Sequence, residues 1–126
     1  MRLGLSLATA AIGLASAATV VMAADPTGNW LRASTGTVIN FYACGGNLCA
    51  KIVSVKDASK KGTVGTVIMN GAVKSGGDTW KGSLLNTEDG QTYTGNVTLE
   101  SANALRLEGC ALMGLACKGE TWTRVK

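Results

Sequence analysis

Few side chains in this chain are of a type and spacing that could do chemistry. It has no histidine, which removes a Ser-His-Asp triad, a Cys-His pair and any imidazole metal site. Glu88 and Asp89 are adjacent carboxylates, but paired carboxylates act as acid and base only across a bound substrate. These two stand in the turn Thr87-Glu88-Asp89-Gly90, where they read as solvated turn formers. Ser54 and Lys56 share a face at strand spacing, the bare geometry of a Ser-Lys dyad, with nothing else in the sequence to support it. Gly45-Gly46 and Gly76-Gly77 lack the strand-loop-helix setting and the lysine of a phosphate cradle. No residue is assigned a catalytic role, and no cofactor or bound metal is expected.

The four cysteines, Cys44, Cys49, Cys110 and Cys117, are the remaining reactive groups. Four cysteines allow three connectivities. Local pairing, Cys44 with Cys49 and Cys110 with Cys117, is expected because each pair brackets a turn-like segment. Flanking positions of a hairpin face one another at a distance a disulfide can bridge. The alternative is a four-thiolate zinc site, for which the spacings within the pairs are wider than the usual close knuckles.

The compartment bears on that choice, since exported chains oxidise paired thiols. Leu3 to Ala24 carry no charge and are bounded by Arg2 and Asp25. The stretch is rich in Ala, Gly, Ser and Thr, and Val21-Met22-Ala23 ends it with small or short side chains. This reads as a signal peptide over residues 1–23 cleaved after Ala23, or after Ala24, rather than an uncleaved anchor. Residues 24–126 then form one domain, periplasmic or secreted, with no further membrane-length apolar run. Twelve Lys and Arg against eight Asp and Glu leave a net charge of only +4. Lys60-Lys61 reads as a solvated loop doublet. No basic stripe interleaved with aromatics is present, so nucleic acid is not an expected partner.

The elements that must position these residues are strands, because two-residue alternation dominates. Strands are expected over 29–33, 37–44, 48–55, 64–69, 79–85, 91–99, 104–109 and 119–125. Residues 56–62 and 71–78 read as loops. Tight turns leave no crossover long enough for a helix, so pairing is antiparallel and consecutive. Closure removes the two edges an open meander would expose. The expected fold class is therefore all-β, a small eight-stranded antiparallel up-and-down barrel, with a two-sheet sandwich as alternative. Gly82 and Gly95 would relieve strand bending.

The expected inward set includes Trp80, Gly82, Leu84, Tyr93, Gly95, Val97, Leu99, Leu105 and Leu107. It is apolar with several small members. A filled interior is the plainer expectation, and a narrow cavity for one small ligand the other. If a ligand enters, Trp80, Leu84, Tyr93, Val97, Leu105 and Leu107 are its candidate contacts.

Several segments together resemble a known family: Pro26-Thr27-Gly28-Asn29-Trp30-Leu31, Cys44-Gly45-Gly46-Asn47-Leu48-Cys49, Lys51-Ile52-Val53, Trp80-Lys81-Gly82-Ser83-Leu84, Glu88-Asp89-Gly90-Gln91-Thr92-Tyr93, Leu105-Arg106-Leu107-Glu108-Gly109-Cys110 and Glu120-Thr121-Trp122-Thr123-Arg124-Val125. In this order they are similar to the exported bacterial domain-of-unknown-function family 2147. Ala50 stands where a glycine is common in that family, and Asn86-Thr87 where Asp-Pro often precedes the turn. The resemblance implies a lipocalin-like (calycin-type) barrel and supplies no established activity. In such barrels a tryptophan like Trp30 and an arginine like Arg124 meet where first and last strands close, a cation–π contact. Trp122, on the face of Arg124, is the other candidate partner. The expected function is a non-enzymatic periplasmic module binding a small apolar or amphipathic ligand. The alternative is an envelope structural or protein-interaction domain acting through its outer surface or loops.

Overall fold

The computed structural model describes residues 25–126, so the expected signal peptide lies outside the described residues. Eight strands run in order: β1 Gly28–Arg32, β2 Thr37–Cys44, β3 Asn47–Ser54, β4 Val67–Lys74, β5 Thr79–Leu85, β6 Thr92–Ser101, β7 Ala104–Ala111 and β8 Ala116–Arg124. Each pairs antiparallel with the next, and β8 returns to β1, which closes an up-and-down barrel. Short 3₁₀ turns occupy Ala58–Thr63 between β3 and β4 and Leu112–Gly114 between β7 and β8. No helix among the described residues is long and apolar enough to cross a membrane.

Alternation explains why the ring forms. Ile39 and Phe41 on β2, Leu48, Ala50 and Ile52 on β3, Val97 and Leu99 on β6, and Leu105 and Leu107 on β7 are all buried at two-residue spacing. Trp30, Ile68, Met69, Ala72 and Trp122 complete one continuous core. No polar or charged residue among those described is fully buried. The expected inward set contains the β6 and β7 members of this core but omits its β2–β4 half.

Three element boundaries depart from expectation by three residues or more, each for an identifiable reason. β4 continues through Gly71 to Lys74, where a loop is expected. The register with β3 shifts between Leu48 and Cys49, and that with β5 between Met69 and Val73. Gly71 sits in that bulge with φ of 88°, a left-handed conformation glycine adopts without steric cost. It re-aims the strand so that Ala72 is buried. β4 also begins later, because Gly65 N–H and Thr66 C=O pair with Ile52 from within the preceding turn. Finally, β8 starts at Ala116 rather than residue 119, because the register pairs Cys110↔Cys117 and Ala111↔Ala116 carry the hairpin to its tip.

Gly82 and Gly95 are register partners across β5 and β6. Their role is close approach rather than bending alone. A Cβ on Gly82 would lie 2.9 Å from Ala72 Cα, and one on Gly95 would lie 2.8 Å from Leu84 Cβ and 2.9 Å from Met69 Cε. The missing side chains let β4 and its neighbours pack tightly on this side of the barrel.

Candidate functional site

The two ends of the barrel differ. At the end where the chain enters, Arg124 on β8 lies over the Trp30 ring, 4.3 Å from its centroid. The pair are register partners. The Arg124 guanidinium donates to three carbonyls, those of Ala102 (2.6 Å), Thr27 (2.8 Å) and Asp25 (2.6 Å). The Trp30 indole N–H donates to Pro26 C=O at 2.8 Å. Gly28 has φ of 121°, and a Cβ there would stand 2.8 Å from Arg124 Nη1. The spacing Gly28-x-Trp30 therefore provides an aromatic floor and, two residues before it, room for the guanidinium. Trp122, the other candidate partner, instead packs edge-on against Phe41, centroids 6.2 Å apart.

The opposite end is open. A cavity of about 890 Å³ occupies it, bounded by the connections β1–β2, β3–β4, β5–β6 and β7–β8. Its floor is Ile39, Ile52, Ile68, Leu107 and Trp122, with Leu84, Leu85 and Val55 as its wall. The barrel is thus filled at one end and hollow at the other, and neither a wholly filled interior nor a narrow bore describes it. Phe41, Met69, Val97 and Leu105 plug the filled part, each almost wholly buried.

A chain of charges crosses the rim. Arg32, at the end of β1, donates from Nε to Glu120 Oε1 at 2.7 Å and from Nη2 to Glu120 Oε2 at 3.1 Å. Its Nη1 is 3.5 Å from Glu88 Oε1. Lys60 Nζ donates to Glu88 Oε2 at 3.0 Å. Trp122 Nε1 (2.9 Å) and Ser34 Oγ (3.4 Å) also donate to Glu120 Oε1. The hydrogen bonds from Arg32 hold the Glu120 carboxyl below the usual glutamate range, against the opposing pull of partial burial. The bond from Lys60 does the same for Glu88, and the bond to Glu120 raises Arg32. Lys60 and Glu88, read from sequence as solvated, are paired with one another. Asp89 accepts from the Tyr93 hydroxyl, which lowers the carboxyl and raises the phenol.

Of the six candidate ligand contacts, Leu84, Tyr93 and Leu107 line the cavity. Val97 and Leu105 lie in the plug below it. Trp80 is partly buried against the core, with Lys74 Nζ 5.6 Å from its ring centroid. Sequence reasoning missed Arg32 and Glu120. A signal existed: Arg32 follows Trp30, and Glu120 precedes Trp122, at the two-residue spacing that places each pair on one face.

Both disulfides take the expected local pairing, Cys44–Cys49 and Cys110–Cys117. Ligand atoms of Glu108, Cys110 and Cys117 lie within 4.8 Å of one another, but the two sulfurs are bonded together. No free thiolate is left for the zinc alternative.

The arrangement can enclose a small molecule, with an apolar base and a rim of donors and acceptors. Among solved structures the chain is similar to a protein described as "Protein HP1028 from the human pathogen Helicobacter pylori belongs to the lipocalin family". Identity is 22% and the TM-score 0.69, over 82% of this chain and 85% of that one. No curated protein matches the chain. At this identity the likeness speaks for the fold, an eight-stranded lipocalin-like barrel. The family model for uncharacterised proteins conserved in bacteria, DUF2147, matches residues 28–124. The chain, with its closed barrel spanning that whole match, belongs to the DUF2147 family.

Proposed function

We propose that the protein is an exported binding module that holds one small amphipathic molecule in the open end of its barrel. The observation that carries this reading is the cavity of about 890 Å³ with an apolar floor and a polar rim. Ligand sites are typically concave, of about 300–1,000 Å³, mostly apolar, with a few placed polar groups. The rim is charge-balanced, Arg32 and Lys60 against Glu88 and Glu120. It offers hydrogen bonds without a strong net pull, which suits a neutral or zwitterionic polar end above an apolar body. Leu84, Tyr93 and Leu107 are the contacts in this reading, together with Trp122. Two disulfides support an oxidising, extracytoplasmic location.

Nile red, a neutral apolar dye, tests the reading. Its emission should rise with one-to-one stoichiometry and fall again when a monoacylglycerol is added. Leu84→Trp, which fills the wall, should weaken dye binding about tenfold or more. Dye that stays dark, or that binds a folded Leu84→Trp variant equally well, overturns it.

A further inference from the structure

The connection between β7 and β8 carries an unusual run, Ala111-Leu112-Met113-Gly114-Leu115-Ala116. Leu112 is 73% exposed, Leu115 is 88% exposed, and Met113 is fully exposed. Leu112 and Met113 have φ of 53° and 57°. This left-handed conformation disfavours side-chain-bearing residues and persists only where the surroundings impose it. Here Cys110–Cys117 clamps the base of the loop. Leucines in such a position are neither burying themselves nor serving a turn that prefers them. Ala111, Ala116 and Cys117 meanwhile line the cavity mouth, so the apolar tip is continuous with the entrance.

We infer that this loop is a membrane-surface anchor, which seats the mouth of the barrel on a phospholipid bilayer. Two observations and one general property of bilayers favour lipid over a protein. The tip is three side chains wide, far short of the roughly 800 Å² per partner that a stable protein interface uses. A bilayer boundary needs apolar insertion but no matching shape. The charged side chains nearest the loop are mostly basic: Lys118 follows it, and Lys81 lines a hollow together with Met113. Cationic flanks suit anionic headgroups. One carboxylate, Glu108, lies near the disulfide, with Arg106 Nη2 at 3.9 Å from it. Because the clamp holds the tip outward, insertion orders little additional chain. The anchoring does not depend on what fills the cavity.

Flotation with vesicles of phosphatidylethanolamine and phosphatidylglycerol tests the inference, using residues 25–126, which contain the whole closed barrel. The unaltered protein should float with the vesicles. Leu112→Ser/Leu115→Ser should lose about tenfold or more of its partitioning while melting at the same temperature. Should the double variant melt early, Met113→Ser, at a fully exposed residue, should show a smaller loss in the same direction. A photo-crosslinking amino acid at position 113 should label lipid in an envelope preparation. Unaltered protein that stays at the bottom, folded variants that float equally well, or crosslinking to one discrete protein would each overturn the anchor. None of these results bears on Nile red in the cavity.

Discussion

Arg32 and Glu120 face one another across the seam where the barrel closes, joined by hydrogen bonds of 2.7 and 3.1 Å. That seam has only two backbone register pairs, Trp30↔Arg124 and Leu31↔Thr123. Side chains therefore fasten what the backbone ladder leaves short. Arg124 does so at the filled end and Arg32 at the open end.

The open-end fastening is partly buried, so its contribution should be near the top of the range for surface ion pairs, about 1 kcal/mol. Glu120→Gln and Arg32→Ala should each lower stability by about that amount. The double variant should cost less than the sum of the two. A thermal or denaturant double-mutant cycle measures the coupling, and additive losses would show that the pair does not act as one.

The same pair sets an acid limit. The Glu120 carboxyl is held below its ordinary value of 4.5 chiefly by the Arg32 hydrogen bonds, and Glu88 is lowered chiefly by Lys60. In the window between the lowered folded value and the ordinary unfolded one, the unfolded chain binds more protons. Stability is then fully present above the ordinary value and is lost as pH falls through the folded value. Melting temperature should be flat near neutrality and decline between about pH 5 and pH 2. Glu120→Gln should soften that decline, and an unchanged acid slope in the variant would contradict the assignment.

At the filled end, Arg124→Ala removes a stacked cation and the donor for three carbonyls. The loss should be larger, about 2–4 kcal/mol. Arg124→Lys should recover only part, because an ammonium cannot lie flat on the indole while serving the same fork of acceptors. Gly28→Ala should also destabilise, since φ of 121° and a contact of 2.8 Å to Arg124 both oppose a side chain. Thermal melting of the three variants is the check, and wild-type melting for Arg124→Ala would remove the closing role.

Two glycines separate packing from chain freedom. Gly95→Ala would place its Cβ 2.8 Å from Leu84 Cβ and should cost about 1–3 kcal/mol through overpacking. Gly77→Ala meets nothing within 4 Å and has no left-handed backbone. It should be neutral or stabilising by up to about 1 kcal/mol, by restricting the unfolded chain. Unfolding free energies from denaturant titration should move in different directions or differ by at least about 1 kcal/mol.

Much of the architecture was legible because it rests on local rules. Alternation in Ile39-x-Phe41 and Leu105-x-Leu107 marks strands, and short turns force neighbours to pair. Closely spaced cysteines bracketing a turn have little choice of partner. Gly71 shows where this runs out. As a glycine after Met69-Asn70 it reads as a strand end, and only the mismatch with β3 and β5 makes it a bulge that extends the strand. The β2–β4 half of the core follows the same alternation, with Ile39, Phe41, Leu48, Ala50 and Ile52 buried at every second position.

By itself, then, the order of residues determined an all-strand chain with consecutive pairing, local disulfides and a tryptophan and an arginine on its terminal strands. These follow from two-residue periodicity and short connections, which act over a few residues. The tertiary structure alone decided which end is plugged and which is hollow. Cavity space is what remains after side chains from all eight strands have met, and no single strand contains that sum. It also decided that Arg32 meets Glu120, 88 residues away, since only closure of the ring brings the first strand beside the last.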